Sequence, residues 1–255
     1  MKLKTLFIIL LTILIVKSGY SQEKKLKFLY IEGGADFISG EPPEKGYIRA
    51  DVNQYSVDYI TTTLRGLLHK SYIGAKGELR ILNGKVGLLS GLHYTRMVSS
   101  LGKEAYWSEN PDYFYLLLRQ EETKTDYLKV REINQVTGYI GIPLELRIYP
   151  YKPRGITVYY KVGSDFNLRL HSATKAVYYD KAMEQFDDEI GDVVEDPWTF
   201  YSSFHLGVGF RIGKDEKPGV NLEVLVPVAI MAGHKSGLVN PEAGGGFQIN
   251  VRLPF

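Results

Sequence analysis

Apolar side chains recur at every second position in eight separate runs between Leu29 and Phe255. A period of two is the mark of a strand with one apolar and one polar face. The last run is the cleanest: Phe247, Ile249, Val251, Leu253 and Phe255 alternate with Gln248, Asn250, Arg252 and Pro254. From Ile156 to Leu170, the even positions Ile156, Val158, Tyr160, Val162, Phe166, Leu168 and Leu170 oppose Thr157, Tyr159, Lys161, Gly163, Asp165, Asn167 and Arg169. Phe200, Phe204, Leu206, Val208, Phe210 and Ile212 oppose Tyr201, Ser203, His205, Gly207, Gly209 and Arg211. Val220, Leu222, Val224, Val226, Val228 and Ile230 oppose Asn221, Glu223 and Pro227, with Leu225 out of pattern. Ile140 to Ile148, Val86 to Val98, Ile73 to Ile81 and Leu29 to Phe37 complete the set. Each run supplies the ~9–11 residues that a tilted strand needs to cross a bilayer.

The connections alternate in length. Long loops are expected at 39–70, 99–134 and 171–199, with a medium one at 232–242. Short turns fall between them at Asn83-Gly84, 150–155 and 213–219. Asn-Gly suits a two-residue hairpin because both central residues take positive φ. Long outer loops and short periplasmic turns characterise outer-membrane barrels. The expected fold is all-β, a single eight-stranded antiparallel up-and-down transmembrane β-barrel. An even strand number puts both termini on the periplasmic side of a Gram-negative outer membrane.

Alternation alone fits a soluble barrel with a greasy interior equally well. The polar face argues for the inverted arrangement. It carries Glu32, Asp36, Glu78, Glu145, Asp165 and Glu223 against Lys76, Arg80, Arg147, Lys161, Arg169, Arg211 and Arg252, together with many glycines. An eight-stranded barrel is just wide enough inside for side chains to fill, so these charges read as a plug and not as a pore. Tyr149, Tyr151, Tyr159 and Tyr160 are expected in a periplasmic aromatic girdle. Tyr94, Tyr113, Phe114, Tyr115, Phe200 and Tyr201 are expected near the other rim.

The N-terminus adds the compartment. Lys2 and Lys4, the apolar run from Leu6 to Val16, and Gly19 and Ser21 form a secretory signal, cleaved after Ser21. The expected division is 1–21 signal peptide and 22–255 barrel domain. Losing Lys2, Lys4 and Lys17 takes the formal charge from +2 to −1, which does not favour nucleic acid as a partner. Absence of cysteine rules out disulfides, thiolate metal sites and a lipid-anchored lipoprotein.

Tyr139-Ile140-Gly141-Ile142-Pro143-Leu144-Glu145-Leu146 resembles the Y-x-x-I-P-L strand of the PorT-like outer-membrane β-barrel proteins, whose architecture is of the OmpX/OmpA type. The ending Gly246 to Phe255 looks like the C-terminal aromatic signal read by the barrel assembly machinery. The resemblance implies an outer-membrane barrel, with assembly through Phe255. The namesake's link to type IX protein secretion implies a secretion-system or surface protein as a partner.

Candidate chemistry is sparse. A lipid A-modifying enzyme would need a Ser nucleophile with a His base. The histidines are His69, His93, His171, His205 and His234, and His171-Ser172 sits at the start of an outer loop. Adjacent strand residues point to opposite faces, so that pair does not share a proton. The acidic run Glu184, Asp187, Asp188, Glu189, Asp192, Glu195 and Asp196 lacks EF-hand spacing and reads as a solvated face, with a calcium site as its alternative. Residues 113–119 and 127–132 read as an ordered loop, with a projecting hairpin as the alternative. No catalytic, cofactor or metal residue is assigned. The expectation is a non-enzymatic outer-membrane barrel in contact with lipid and lipopolysaccharide; its rivals are a lipid A enzyme and a small pore.

Overall fold

The computed structural model describes residues 27–43, 48–49, 64–102, 112–120, 124–151, 156–213, 217–232 and 237–254. The proposed signal peptide, His234 and Phe255 lie outside the described residues. The strands are β1 (Lys27–Glu41), β2 (Ile48–Arg49), β3 (Gly66–Ile81), β4 (Val86–Gly102), β5 (Phe114–Gln120), β6 (Thr125–Tyr151), β7 (Ile156–Tyr178), β8 (Phe200–Ile212), β9 (Gly219–Ala232) and β10 (Asn240–Pro254). A 3-10 turn (Lys181–Phe186) and a short helix α1 (Asp187–Val193) lie between β7 and β8. Each barrel strand pairs antiparallel with its sequence neighbours in the wall, and β1 closes on β10 from Phe28↔Pro254 to Glu41↔Asn240. Eight strands thus form a closed barrel, while β5 and β2 extend the sheet on the free upper edge of β6. Closure removes unpaired sheet edges, which hydrocarbon would not hydrate.

Side chains sort by parity as the alternation predicts. On β10, Phe247 is 51% exposed and Ile249 48%, whereas Gln248 is 2% exposed and Arg252 is fully buried. The same split holds on all eight strands through the middle of the wall, so the apolar face is outside. Interior glycines make room for large neighbours. A β-carbon on Gly141 would collide with His93 and Asn167, one on Gly163 with His205, and one on Gly209 with Tyr159.

Several boundaries differ from those expected. The strands run well into the three segments expected as long loops, because pairing persists above the apolar belt. The face rule inverts there. Leu128, Val130, Ile133, Leu68, Met97, Leu101 and Ala176 point inward, while Lys129, Arg131, Arg96 and Lys175 are on the outer surface. Above the apolar belt the wall is built like a water-soluble barrel, with apolar side chains inside. Residues 114–120 and 125–130 form the two arms of the projecting hairpin, with β5 against β6 from Phe114↔Val130 to Gln120↔Thr125. On β9 a bulge between Leu225 and Val228 skips a residue against both β8 and β10. It turns Val228 into the interior, correcting its outward assignment, and leaves Ile230 partly buried against the core. The turn after β3 occupies Leu82 to Lys85 instead of two residues, with positive φ at Leu82, Asn83 and Gly84. Pro143, which has no N–H, falls in the gap of the β4–β6 ladder between Ser90↔Leu144 and His93↔Gly141.

Candidate functional site

The lumen is filled in three layers. At the short-turn end, aromatic rings sandwich arginines. Arg80 lies 4.5 Å from the rings of both Phe28 and Tyr149, and Arg147 lies 4.9 Å from Tyr30 and 5.1 Å from Tyr159. Glu78 accepts hydrogen bonds from the Tyr30 hydroxyl at 2.6 Å and the Tyr149 hydroxyl at 2.5 Å. Tyr149 and Tyr159 are therefore lumen residues, which corrects their placement in a girdle; of that group Tyr160 is on the outer wall. The side chain of Tyr151 lies outside the described residues. Tyr201 and Phe114 are likewise buried inside, while Tyr94 and Phe200 face outward.

The middle layer is ionic. Glu223 accepts from Arg147 at 2.6 Å, the Tyr159 hydroxyl at 2.5 Å, Lys161 at 2.8 Å and Asn250 at 2.9 Å. Lys161 also meets Glu145 at 2.8 Å, and Lys76 bridges Glu145 to Glu32. Higher up, Lys70 spans Asp36 at 3.0 Å and Asp165 at 3.2 Å. Seven cations (Lys70, Lys76, Arg80, Arg147, Lys161, Arg211, Arg252) are buried in the lumen with six carboxylates (Glu32, Asp36, Glu78, Glu145, Asp165, Glu223) among the described residues. Such charges are tolerable only when paired and hydrogen-bonded. Lys70 falls in the expected loop 39–70 but belongs to β3, where Gly66, Leu68 and Lys70 keep one inward parity. Arg169, expected with the lumen charges, sits at the mouth and donates to Asp196 and to the Pro197 carbonyl.

The third layer closes the mouth with apolar side chains. Tyr139 and Tyr201 pack edge to face at 4.8 Å, Trp198 adds a ring 6.1 Å from Tyr201, and the Tyr139 hydroxyl donates to the Trp198 carbonyl at 3.1 Å. Ile190 and Val194 from the α1 region, with Leu64, Leu238 and Val239 from other connections, join the same cluster. A cavity of about 10 Å³ lies within the ionic layer, lined among others by Glu32, Asp36, Lys70, His93, Asp165 and His205. That is room for about one water.

The other candidate residues are dispersed. His93 and His205 are buried in the lumen, His93 beside Asn167 at 3.1 Å. His69 stacks on Phe37 outside the wall at 4.8 Å, and His171 meets the Tyr94 hydroxyl at 3.3 Å. Ser172 takes the opposite parity to His171, as expected for a strand. The acidic run spreads over a 3-10 turn, α1 and its exit. Glu189 pairs with Arg119, and Asp196 with Arg169 at 3.1 Å. Among the described residues no cluster of three or more His, Asp or Glu is placed to hold a metal.

Fold and lumen together define a closed, inside-out antiparallel barrel with a filled interior. The chain is similar in shape to the outer membrane protein OprG from Pseudomonas aeruginosa, at 11% identity and a TM-score of 0.42, over 91% of this chain and 98% of that one. It is also similar to the transport unit of the autotransporter AIDA-I from Escherichia coli, at 11% identity and a TM-score of 0.27, over 92% of each chain. No family model matches the chain, and no curated protein sequence matches it. The architecture rests on the strand pairings themselves.

Proposed function

We propose that this chain is an integral outer-membrane protein of a Gram-negative envelope, a non-enzymatic barrel that works through the surface it carries beyond the lipid. The observation that supports this is the change of polarity along single strands. On β7, outward Val158, Tyr160, Val162, Phe166, Leu168 and Leu170 give way to outward His171 and Lys175, while the interior turns from Lys161 and Asp165 to Ala176 and Tyr178. A wall that leaves hydrocarbon and enters water has a physical reason to change sides. Short turns at one end and long connections at the other favour a periplasmic location for both termini. Barrel assembly machinery acting at Phe255 belongs to the same reading. The Tyr139 to Leu144 motif supports grouping with the PorT-like proteins, and with it a secretion-associated partner. Pull-down of the intact protein from solubilised outer membrane tests that link: co-purifying secretion components are expected, and their absence contradicts it.

A filled lumen also favours a structural or interaction role over transport. Reconstituted in planar bilayers, the protein is expected to show no stepwise conductance. Stable single-channel steps from the wild-type protein would overturn the closed reading.

A further inference from the structure

We propose that the outward face of β4, β6 and β7 above the apolar belt docks a phosphorylated glycolipid of the surrounding leaflet. Arg96, Lys175 and Arg131 take its phosphates, and the Tyr113 and Tyr179 rings pack on its sugars. The proposal rests on the membrane reading above and gives that surface a ligand class.

Arg96 is the first charged outward side chain on β4, following Val86, Leu88, Leu92 and Tyr94. The segment from Val86 to Arg96 has the ~9–11 residues of a crossing strand, so Arg96 stands at the lipid boundary. Strand pairing sets it in one row with Ser71, Gly138 and His171. The His171 ring lies over Gly138, where a β-carbon would not fit, and is held by the Tyr94 hydroxyl. The guanidinium thus has a flat polar neighbour and no bulky side chain between. Further out, Ser100, Asn134 and Lys175 share a row. Beyond it, Lys129 is clamped between the rings of Tyr113 and Tyr179 at 3.7 and 3.8 Å, with Arg131 4.9 Å from Tyr179.

Arg96, Arg131 and Lys175 are exposed. Among the described residues, the carboxylate at an outward position of these three strands from Arg96 to Tyr179 is Glu132, which is only 9% exposed and accepts from the Asn134 amide at 2.6 Å. The opposite wall differs: Glu41 and Glu242 sit at the corresponding height on β1 and β10. Exposed positive charge on this side therefore outweighs its one largely buried carboxylate, and Arg binds phosphate through paired charge-assisted hydrogen bonds. Length selects the lipid. From His171 to Tyr179 the face runs about 26 Å along the strand at ~3.3 Å per residue, or about 20 Å along the membrane normal at a tilt of ~40°, whereas phospholipid headgroups add only ~5–8 Å per leaflet. A headgroup of several sugars is needed to cover it.

The test titrates the full-length protein in detergent micelles with fluorescent rough lipopolysaccharide, with the same glycolipid after dephosphorylation, and with phosphatidylglycerol. Wild type is expected to prefer the phosphorylated glycolipid. The Arg96→Gln/Arg131→Gln/Lys175→Gln variant is expected to lose about tenfold or more of that affinity. Tyr113→Ala/Tyr179→Ala should weaken glycolipid binding and leave phosphatidylglycerol unchanged. Arg96→Gln and Lys175→Gln, tested singly, each carry part of the loss and stand in if the triple variant fails to fold, judged by heat-modifiable gel mobility. Equal binding by wild type and charge variants would overturn the proposal, as would equal affinity for phosphatidylglycerol. Failure of wild type to insert into phosphatidylcholine vesicles would sink the membrane reading instead.

Discussion

Four donors converge on the carboxylate of Glu223, and two of them, Arg147 and Lys161, are buried cations. Removing a partner from such a set leaves charge unpaired in a site without bulk water, which costs about 3–5 kcal/mol. Glu223→Leu is therefore expected to destabilise the folded barrel by about that amount in urea titration, read as a lower unfolding midpoint. An unchanged midpoint would mean that water or ions reach the lumen freely. Most of these charges were legible as one face of an alternating run, because charge and parity both appear in the chain. Their pairing was not legible. Nothing local in the sequence brings Lys70 to Asp165 or Lys76 to Glu145, since those contacts depend on closure of the wall. Tyrosine was the least readable residue type. The same amphipathic ring faces outward at Tyr160 and covers buried arginine at Tyr149 and Tyr159.

At the scale of the strand, alternation gives a face and not a depth. Within the belt of β6, Ile140, Ile142, Leu144 and Ile148 are outward, yet above it the inward residues are the apolar ones, Ile133, Val130 and Leu128. A reader who follows one face sees the pattern fail near residue 136 and ends the strand there, although pairing with β7 continues to Val130↔Tyr178. Bulges at Gly138/Tyr139 and at Leu225/Val228 add phase slips that periodicity alone does not register. The depth assignment has a direct consequence. Leu144→Arg, on the outer face in mid-belt, is expected to cost about 2–4 kcal/mol in a lipid-based unfolding assay. Ala173→Arg, on the same face above the belt, is expected to cost close to nothing. Equal penalties at the two sites would remove the lipid boundary from between them.

For the whole molecule, one closed wall does two jobs. Its lower part turns apolar side chains outward and holds charge in the centre; its upper part turns polar side chains outward and holds a hydrophobic cluster closed by α1, Trp198 and the connections. Strand count, antiparallel order and closure were readable from eight alternating runs and alternating connection lengths. The upper barrel was not readable, because its polarity is the mirror of the lower one. The central claim is that this side-changing wall sits in lipid, and the chain contains no cysteine to confuse its test. Single cysteines placed at Leu222 and Ile142 in the belt, and at Ala173 and Lys175 above it, can be probed in proteoliposomes with a membrane-impermeant maleimide. The account predicts rapid labelling at 173 and 175 and none at 222 and 142 until detergent is added. Equally fast labelling at all four positions in intact liposomes would contradict it.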